Sequence, residues 1–457
     1  MLKQLISLTT LRELLRLALP MMVSQGTFAV MIFTDRLFMA KLSAVHIAAA
    51  LAGGMASFAS LCLFTGIVAY GNALVAQYRG AEQPHKCSLV VTQALFLSLL
   101  SLPLVALITW GVYLLLGDFG HAPEQVTLER DYYLMLMACS IFTLAKIALA
   151  SFFAGIGRTR IIMVCDVFGM IINIPLTFLL VFGGFGLPAM GIIGAGLGTV
   201  IATLFTVLLF LWFYLRPEVI QEFSIAGCWR LDRGILRRYF RLGTPSGMET
   251  LLTFGTFNLF LLLFQSYGIV EGAAIAIVFN WDILSFIPMV GVSIAVLTQI
   301  GRFVGAGDLK EANRVITAGL IIAWTYSGLL AVIFIYFSAP LVDVFETPDA
   351  FFPEIRQLSM LMMVGLASYV VADANSLVVG GVLRGAGDTR WLMVVSISLH
   401  WLMLIAQYLM IIVYEVEPVV SWWGFVAMIL VLTVIYSARL LGGVWRQPER
   451  LARVMEE

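Results

Sequence analysis

The chain has 457 residues, of which 61% are hydrophobic and only 12% are charged, and its mean hydropathy is +0.99. These values lie far outside the range of a soluble domain of this length, so the chain is predicted to be an all-α integral membrane protein. Its net charge of zero gives no indication of nucleic-acid binding, and no nucleic-acid partner is expected.

Apolar runs divide the chain into predicted membrane spans. About 30 Å of hydrocarbon needs roughly 20 helical residues. Twelve runs reach that length, six in each half, and they are numbered here as spans 1 to 12: 14–40, 46–75, 88–116, 132–153, 161–183, 191–215, 242–268, 272–299, 313–338, 354–383, 391–414 and 421–445. The first run is too long for a signal peptide and no small-residue cleavage site follows it, so it is predicted to remain as span 1.

The two halves of the chain repeat one another. Three landmarks recur in the same order at separations of 225, 225 and 230 residues: 16–20 with 241–245, 80–81 with 305–306, and 155–160 with 385–390. Internal duplication in so apolar a chain is typical of transporters. Because six helices return the chain to its starting side, both copies insert in the same orientation. We therefore predict two six-helix lobes, 1–215 and 241–457, related by a pseudo-two-fold axis along the membrane normal.

Positive charge predicts the orientation of the spans. All but five of the 27 lysines and arginines fall on one side; the exceptions are Lys41, Arg130 and Arg356 on the other side and Arg36 and Lys146 within spans. By the positive-inside rule, the basic side and both termini are cytoplasmic. The linker 216–240 joins the lobes on that side, and its mixture of apolar and arginine residues suits a helix at the lipid surface. A tether is its simplest role, and a regulatory or partner-binding role is the alternative.

Residue types that carry catalysis or bind metals are scattered. The five cysteines and four histidines show no zinc-ligand or disulfide spacing, and no nucleophile elbow, Walker loop or kinase signature occurs. The Gly-x-Gly segments at 155–157 and 385–387 follow helices rather than strands, which indicates turns. We therefore expect a protein that is not an enzyme and has no cofactor. His400 lies well inside a span, where a hydrogen-bonded core residue is favoured over a proton carrier.

Ionisable groups inside the bilayer are the candidates for function, because an unpaired carboxylate there costs at least a few kcal/mol. At 1.5 Å per residue, Asp373 lies about 16 Å from the cytoplasmic end of span 10, Glu249 about 12 Å along span 7 and Asp282 about 15 Å from the outer end of span 8. Asp35 is the only deep carboxylate of the first half. Asp166, five residues into span 5, can reach the interface and is predicted to be structural.

Two cations share the spans with these acids. Arg36 follows Asp35 directly, so on a helix the two project about 100° apart and are poorly placed to pair with each other. Arg36 either snorkels outward or neutralises another acid. Lys146 either pairs with Asp166 or faces an aqueous cleft. The sequence leaves both choices open.

Prolines mark where the spans can bend. Pro20 and Pro245 occupy equivalent places in spans 1 and 7, and Pro175 and Pro288 interrupt spans 5 and 8. Each proline removes a backbone hydrogen bond and frees a carbonyl group. Bent helices in both repeats disfavour a passive channel.

Several short motifs accompany the repeat: residues 35–41, 75–81, Asn173-Ile174-Pro175, Asn280 with Pro288-Met289 eight residues on, and Asp373 followed by Leu383-Arg384-Gly385. Each motif is modest alone. Together with twelve spans and an internal repeat, they resemble the multidrug and toxic compound extrusion (MATE) transporters of the NorM-like bacterial kind. The resemblance runs from about residue 11 to residue 445.

The resemblance implies two lobes around a central cleft that opens to alternate faces, and export of organic, often cationic, compounds driven by inward flow of H+ or Na+. It implies ion-coupling acids at Asp35 and Asp373 and a polar contribution from Asn173. The expected setting is the bacterial cytoplasmic (inner) membrane. Small organic cations or drugs are the expected substrates, the lipid bilayer is the surrounding partner, and the expected state is a monomer.

The chain departs from the family pattern at three places. The span 7 glutamate of NorM-like members falls where Thr253 stands, one turn beyond Glu249. Thr177 replaces the usual second Asn or Asp of span 5, and Asp282 stands where a small polar residue is usual. With Asn173, Asn280 and Arg36, Thr177 completes the predicted substrate or ion cavity.

These departures bear on the coupling ion. Sodium needs several oxygen ligands in a fixed cage, for which the candidates are Asp35 with Asn173, or Glu249 with Asp282 and Asp373. Moving the glutamate by one turn dismantles the second cage unless Asp282 restores it. Protonation needs only one desolvated carboxylate. The sequence therefore favours H+, with Asp35 and Asp373 as the carriers.

A flippase for a lipid-linked precursor, from the same superfamily, is the alternative function. Its cavity would be more cationic, to bind phosphate, and Arg36 with Lys146 leaves room for that. A membrane-embedded enzyme is disfavoured because no nucleophile, base or metal set converges. The deep acids themselves are not repeated, since the repeat offsets place Ser24 opposite Glu249, Phe260 opposite Asp35 and Thr143 opposite Asp373.

Overall fold

The computed structural model describes residues 7–118, 121–184, 186–346 and 351–456, and the predicted cytoplasmic Lys3 lies outside them. The described chain folds almost entirely into helices, with one isolated bridge between Gly184 and Leu187. Eleven of the described helices are long and apolar enough to cross a membrane, and a bent pair makes a twelfth when it is counted as one span. The predicted all-α architecture with twelve spans is confirmed.

The helices of the first half begin and end at local signals in the sequence. Proline occupies the first helical position of two of them, where its missing N–H group costs nothing. Their bounds are α1 Leu8–Leu42, α2 Ala44–Ala69, α3 Gly71–Gly80, α4 Pro84–Leu115, α5 Pro123–Ala138, α6 Ser140–Gly155, α7 Thr159–Phe182 and α8 Gly191–Tyr214.

The second half follows the same order. Its helices are α11 Thr244–Gln265, α12 Ile269–Gly305, α13 Leu309–Tyr336, α14 Ser338–Asp343, α15 Phe352–Gly385, α16 Thr389–Tyr408, α17 Pro418–Leu441 and α18 Pro448–Met455. The two Gly-x-Gly turns adopt the same backbone shape, with φ of 78° at Gly157 and 81° at Gly387. That left-handed conformation favours glycine, which explains why the landmark recurs.

The fourth span is the bent one. It begins at Pro123, earlier than the predicted 132–153, and α5 and α6 meet at Cys139 with a bend of 44°. No proline stands at the break, so the apolar pattern runs through it without interruption. Hydropathy therefore predicts one straight span where the structure has two segments of 16 residues.

The linker is partly helical. It contains α9 Pro217–Phe223, a 3-10 turn at Ile225–Gly227 and α10 Arg233–Arg238, whose first turn is capped by the Asp232 carboxylate. A π-helical turn, Tyr239–Gly243, leads from α10 directly into α11. The predicted surface helix is thus limited to six residues, and it continues into span 7.

The chain forms two compact units. The C-terminal unit contains Met1–Met22, Glu249–Val304 and Asp308–Val454, and the N-terminal unit contains Val23–Met248, Gly305–Gly307 and Met455–Glu457. Helices α1 and α11 therefore each contribute residues to both units. The lobe boundaries at 215 and 241 follow the repeat and stay a prediction.

Each unit has its own apolar core. In the C-terminal unit, one cluster includes Val296 and Val382, and another is built on aromatic rings, with Phe260 and Phe425 stacked at 4.5 Å between ring centres. In the N-terminal unit, Phe38 packs edge-on against the Phe178 ring of α7 at 5.6 Å. This last contact joins the half of α1 that carries Asp35 to α7.

Candidate functional site

Asp35 is half-buried in the N-terminal unit. The Thr199 hydroxyl of α8 donates a hydrogen bond to Asp35 Oδ2 at 3.4 Å, but it also donates to the Ala195 carbonyl at 3.2 Å. One hydroxyl hydrogen serves both acceptors, so the bond to the acid is weak. Asp35 Oδ1 is buried without a hydrogen-bond partner among the described residues. The carboxylate is therefore held in place without being neutralised.

Asn173 and Thr177 lie one helical turn apart on α7, on either side of Pro175. Both side chains are fully buried, and Asn173 Nδ2 donates to Thr177 Oγ1 at 3.3 Å. Thr177 packs against Gly198 of α8, the residue before Thr199. Asp35 and Thr177 therefore contact neighbouring residues of α8, Thr199 and Gly198. Asn173 Oδ1 has no hydrogen-bond partner among the described residues.

Two other predicted cavity residues are exposed. Arg36 is on the exposed side of α1, and no ion pair of its guanidinium occurs within the described ranges. Tyr132 of α5 is within electrostatic range of both Arg36 and Asp35. Asn280 is exposed on α12, and its amide donates to the Ala276 carbonyl of its own helix at 2.8 Å. The structure does not bring Asn280 into contact with the acids.

Asp282 and Asp373 form the acidic pair of the C-terminal unit. The two carboxylates lie within electrostatic range of each other, Asp282 on α12 and Asp373 on α15. The Tyr369 hydroxyl, one turn before Asp373, faces Asp282. No lysine or arginine of the described chain forms an ion pair with either acid. Two like charges without a counter-ion are costly in a low-dielectric setting, which favours the capture of a cation or a proton.

Aromatic rings enclose Tyr369. Its ring centre lies 6.1 Å from that of Trp422 and 5.8 Å from that of Phe425, both on α17. Phe279 of α12 completes the group, 6.0 Å from Trp422. Trp422 is fully buried, and its indole N–H finds no acceptor in the described part of the chain. The acidic pair therefore borders a rigid aromatic wall whose rings are almost completely buried.

Glu249 does not join this acidic pair. It is almost fully buried, and its Oε1 accepts a bond from Arg384 Nη2 at 2.8 Å. His400 lies nearby on α16; its Nδ1 lies 2.7 Å from the Ser396 carbonyl and must therefore carry the hydrogen. This geometry fits the hydrogen-bonded core histidine that the sequence favours.

Lys146 pairs with Asp166, which settles one of the choices that the sequence leaves open. Lys146 Nζ lies 2.8 Å from Asp166 Oδ1, and Asp166 is mostly buried. The Ser24 hydroxyl of α1 donates to the other carboxylate oxygen, Oδ2. The side chains join α1, α6 and α7 within the N-terminal unit.

A multi-carboxylate metal cage is not assembled within the described ranges. No group of three histidine, cysteine, aspartate or glutamate side chains converges there as a metal site requires. The second candidate sodium cage draws on Glu249, Asp282 and Asp373, and the structure pairs the first of these with Arg384.

The sequence did not predict that Thr199 and Tyr369 lie beside the candidate acids. Tyr369 stands four residues before Asp373 on one helix, so the helical period could have placed it on the same face. Thr199 stands 164 residues from Asp35 and carries no sequence signal that links it to that acid.

A family model described as MatE matches residues 20–179 and again 245–409. The two matched stretches begin 225 and end 230 residues apart, the offsets of the repeat. The chain is 28% identical to a probable multidrug resistance protein NorM of Pseudomonas putida, over 97% of this chain and 96% of that protein. It is also 28% identical to the multidrug resistance protein PmpM of Pseudomonas aeruginosa, over 86% and 82% of the two chains.

Solved structures share the fold. The eukaryotic MATE transporter AtDTX14 superposes with a TM-score of 0.85 at 18% identity, covering 98% of this chain and 99% of that one. A MOP superfamily transporter from Pyrococcus furiosus, for which a reversed polarity of the binding pocket suggests a different function, also gives a TM-score of 0.85 at 18% identity. It covers 96% of this chain and 97% of its own.

Proposed function

Because the chain belongs to the MatE family, we propose that it is a secondary active multidrug efflux transporter. It exports organic, often cationic, compounds by antiport with H+ or Na+ through alternating access. Its relatives in two Pseudomonas species are named as multidrug resistance proteins, which supports this substrate class.

One observation carries the proposal. Of the five acids that the sequence singles out within the predicted spans, Asp166 and Glu249 have a lysine or arginine partner. Asp35, Asp282 and Asp373 form no ion pair with the lysines and arginines of the described chain. A carboxylate without a fixed counter-ion can exchange a mobile one, whereas a paired carboxylate is already neutralised. The three unpaired acids are therefore the proposed coupling and substrate-attracting groups.

H+ is the preferred coupling ion. A proton needs one carboxylate oxygen, and Asp35 Oδ1 and the facing acids Asp282 and Asp373 each offer one. The predicted sodium cage at the second place includes Glu249, and Glu249 is engaged with Arg384. Around Asp35, the Asn173 Oδ1 atom is the unpartnered oxygen that a sodium site would use.

The proposed cycle is a charge-controlled antiport. An organic cation and the coupling ion compete for the same carboxylates, so only one of them neutralises the site at a time. Ion binding from outside releases the substrate outward, and loss of the ion to the cytoplasm restores the charge that attracts the next cation. Ion binding can drive the change between the outward-open and inward-open states only if the ion binds these two states with different affinities.

The proposed setting is the bacterial cytoplasmic (inner) membrane, with both termini on the cytoplasmic side and the transporter acting as a monomer. The chain is a multi-pass membrane protein with bacterial relatives. The bias of arginine and lysine to one side of the spans supports the orientation.

Dye transport in proteoliposomes tests the function. Purified protein is reconstituted, and ethidium movement is followed under an imposed pH gradient, an imposed Na+ gradient, or neither. We expect movement with the pH gradient alone. Equal ethidium movement with and without each gradient would rule out antiport.

The alternative, a flippase for a lipid-linked precursor, depends on a cationic cavity for phosphate. Lys146 is neutralised by Asp166, which removes one of the two cations on which that interpretation depends. Translocation of a fluorescent lipid diphosphate by the same proteoliposomes, without ethidium transport, would favour the flippase.

A further inference from the structure

Each half of the chain contains an ion pair whose acid lies inside a predicted span. In the first half, Lys146 of α6 pairs with Asp166 of α7 at 2.8 Å. In the second half, Arg384 at the end of α15 pairs with Glu249 of α11, also at 2.8 Å. In both halves the cation comes from the fourth span, and the transport scheme above uses neither pair.

The acid and serine positions of the two pairs are equivalent in the repeat, with the two residue types exchanged. The cations are not equivalent, because the offset of 230 places Ser376 opposite Lys146 and Ala154 opposite Arg384. Ser24 is the counterpart of Glu249 at the offset of 225, and Asp166 is the counterpart of Ser396 at the offset of 230. In the first half, the first span supplies the serine and the fifth span the acid. In the second half, the first span supplies the acid and the fifth span the serine. The exchange keeps one carboxylate at each place.

The first and fifth spans are joined by hydrogen bonds at both places. In the first half, the Ser24 hydroxyl donates to Asp166 directly. In the second half, the Thr253 hydroxyl, one turn after Glu249, lies 3.4 Å from the Ser396 hydroxyl. Three spans of each half are thus held together by one ion pair and one hydroxyl contact.

Both contacts stand one turn beyond a proline. Ser24 follows Pro20 by four residues, and Glu249 follows Pro245 by four residues. A proline removes one backbone hydrogen bond from its helix, so the helix is weakest at that turn. A side-chain contact in the next turn fixes the direction in which the helix continues.

We propose that Ser24–Asp166–Lys146 and Glu249–Arg384 are two charge anchors built at the same serine and acid positions of the repeat, in which Lys146 and Arg384 are positioning residues. Each anchor holds the first span of its half, just beyond the proline, against the fourth span. The anchors set the placement of the deeper acids on those spans and bind neither the coupling ion nor the substrate. The inference rests on the proposed transport function for its rate measurements only.

Charge exchange within each anchor tests the inference. One pair of variants removes one partner, Asp166→Asn and Glu249→Gln. A second pair exchanges the charges, Lys146→Asp with Asp166→Lys, and Glu249→Arg with Arg384→Glu. Lys146→Arg and Arg384→Lys keep the charge and are expected to fold even where the others do not. The matched control exchanges the exposed pair Asp343 and Arg356, whose Oδ1–Nε distance is 2.5 Å.

Melting temperature in detergent and the KM and maximal rate of ethidium transport are measured for each variant. We expect neutralisation to lower the maximal rate about tenfold and KM to change less than about twofold, because a positioning residue does not contact the substrate. We expect exchange to restore the rate to within about threefold, since the pairwise energy is regained. The control exchange and the charge-conserving variants should stay within about threefold of the native rate.

Three results would overturn the anchors. A neutralised variant that transports ethidium without regard to the ion gradient would make its acid a coupling residue. A changed KM with an unchanged maximal rate would make it a substrate residue. An exchange variant that melts like the native protein but stays inactive would exclude the positioning role. If the native protein itself moves no ethidium, the transport proposal fails, and the melting temperatures of the exchange variants still decide whether the pairs are anchors.

Discussion

Arg158 and Asp388 occupy equivalent positions in the two Gly-x-Gly turns, yet they carry opposite charges. Arg158 bonds Glu222 of α9 at 2.6 Å, and Arg79 reaches the other oxygen of the same carboxylate at 2.8 Å. The Asp388 carboxylate forms ion pairs with Arg439, at an N–O distance of 2.8 Å, and with Arg450 of α18, at 3.5 Å. In each half, the segment that follows the sixth span returns to the same turn. The polarity of the contact is reversed, so each segment fits only its own half.

The two contacts should differ in strength. Asp388 and Arg439 are 11% and 14% exposed, whereas Glu222 and Arg158 are 29% and 40% exposed. We expect Asp388→Asn to destabilise the protein by about 1 to 3 kcal/mol, because a largely buried arginine loses a charged acceptor. Glu222→Gln should cost less than about 1 kcal/mol, as exposed ion pairs do. Thermal unfolding in detergent measures both variants, and equal losses would contradict the ranking.

Neutralising the unpaired acids should uncouple transport. We expect Asp35→Asn and Asp373→Asn each to lower gradient-driven ethidium transport on the order of tenfold or more, since a coupling free energy cannot survive loss of the group that binds the ion. The rate under an imposed pH gradient is the measurement, and Asp343→Asn, outside the spans, is the matched control. Undiminished transport by both variants would remove these acids from the mechanism.

The hydroxyl of Thr199 should matter less than the acid it touches. Its bond to Asp35 is long and shared with the Ala195 carbonyl, so we expect Thr199→Val to slow transport by about twofold to fivefold, less than 1 kcal/mol. Thr203→Val is the control, because Thr203 donates to the Thr199 carbonyl of the same helix at 2.8 Å and has no contact with Asp35 among its described bonds. Equal effects of the two variants would show that only helix stability is involved.

Gly198 should tolerate no side chain. A Cβ atom there would lie 2.4 Å from Thr177 Oγ1 and 3.0 Å from Thr177 Cα, and the backbone atom cannot move aside cheaply. We expect Gly198→Ala to destabilise the protein by about 1 to 3 kcal/mol, as overpacking does. Gly111→Ala meets nothing within 4 Å in the described structure and should be neutral or slightly stabilising. Melting temperatures of the two variants make the comparison, and similar values would argue against close packing of α7 on α8.

Acidification should remove the contribution of the exposed Asp343–Arg356 ion pair to the stability of the protein. Hydrogen bonding from the Arg356 guanidinium lowers the pKa of Asp343 below its ordinary value. A lowered pKa in the folded state means that the pair stabilises the protein above the ordinary carboxyl pKa and loses its effect as pH falls through the lowered one. Asp343→Asn should therefore melt slightly below the native protein at neutral pH and equally at strongly acidic pH. A difference that grows on acidification would contradict the assignment.

Much of the fold could be predicted from the sequence because hydropathy and charge act locally. The twelve spans and the repeat follow from apolar length and from three short landmarks. The bend at Cys139 could not, because no proline marks it and the apolar run continues on both sides of Ser140. The aromatic wall around Tyr369 also joins α12, α15 and α17, and only the packed structure shows which rings meet.

The roles of the candidate site residues stay a prediction. Depth along a helix selects the acids inside the spans, but it cannot separate acids with a counter-ion from acids without one. Glu249 and Asp373 are close in predicted depth. Arg384 stands eleven residues after Asp373, about 16 Å nearer the helix end. Its long side chain nevertheless forms an ion pair with Glu249. Because Glu249 and Arg384 are 135 residues apart in the sequence, local residue spacing cannot predict that they pair.

The lengths of the spans carry a last consequence. Helix α12 has 37 residues and α1 has 35, which is about 55 Å and 52 Å of helix, whereas α7 and α8 have 24 residues each, about 36 Å. A hydrocarbon core of about 30 Å can cover the long helices only if they tilt or extend into the headgroups. A hydrocarbon core thicker than about 36 Å would exceed the length of α7 and α8, whereas α1 and α12 could still span it by becoming more upright. Acyl-chain length is therefore a variable of this protein's energetics in its own right.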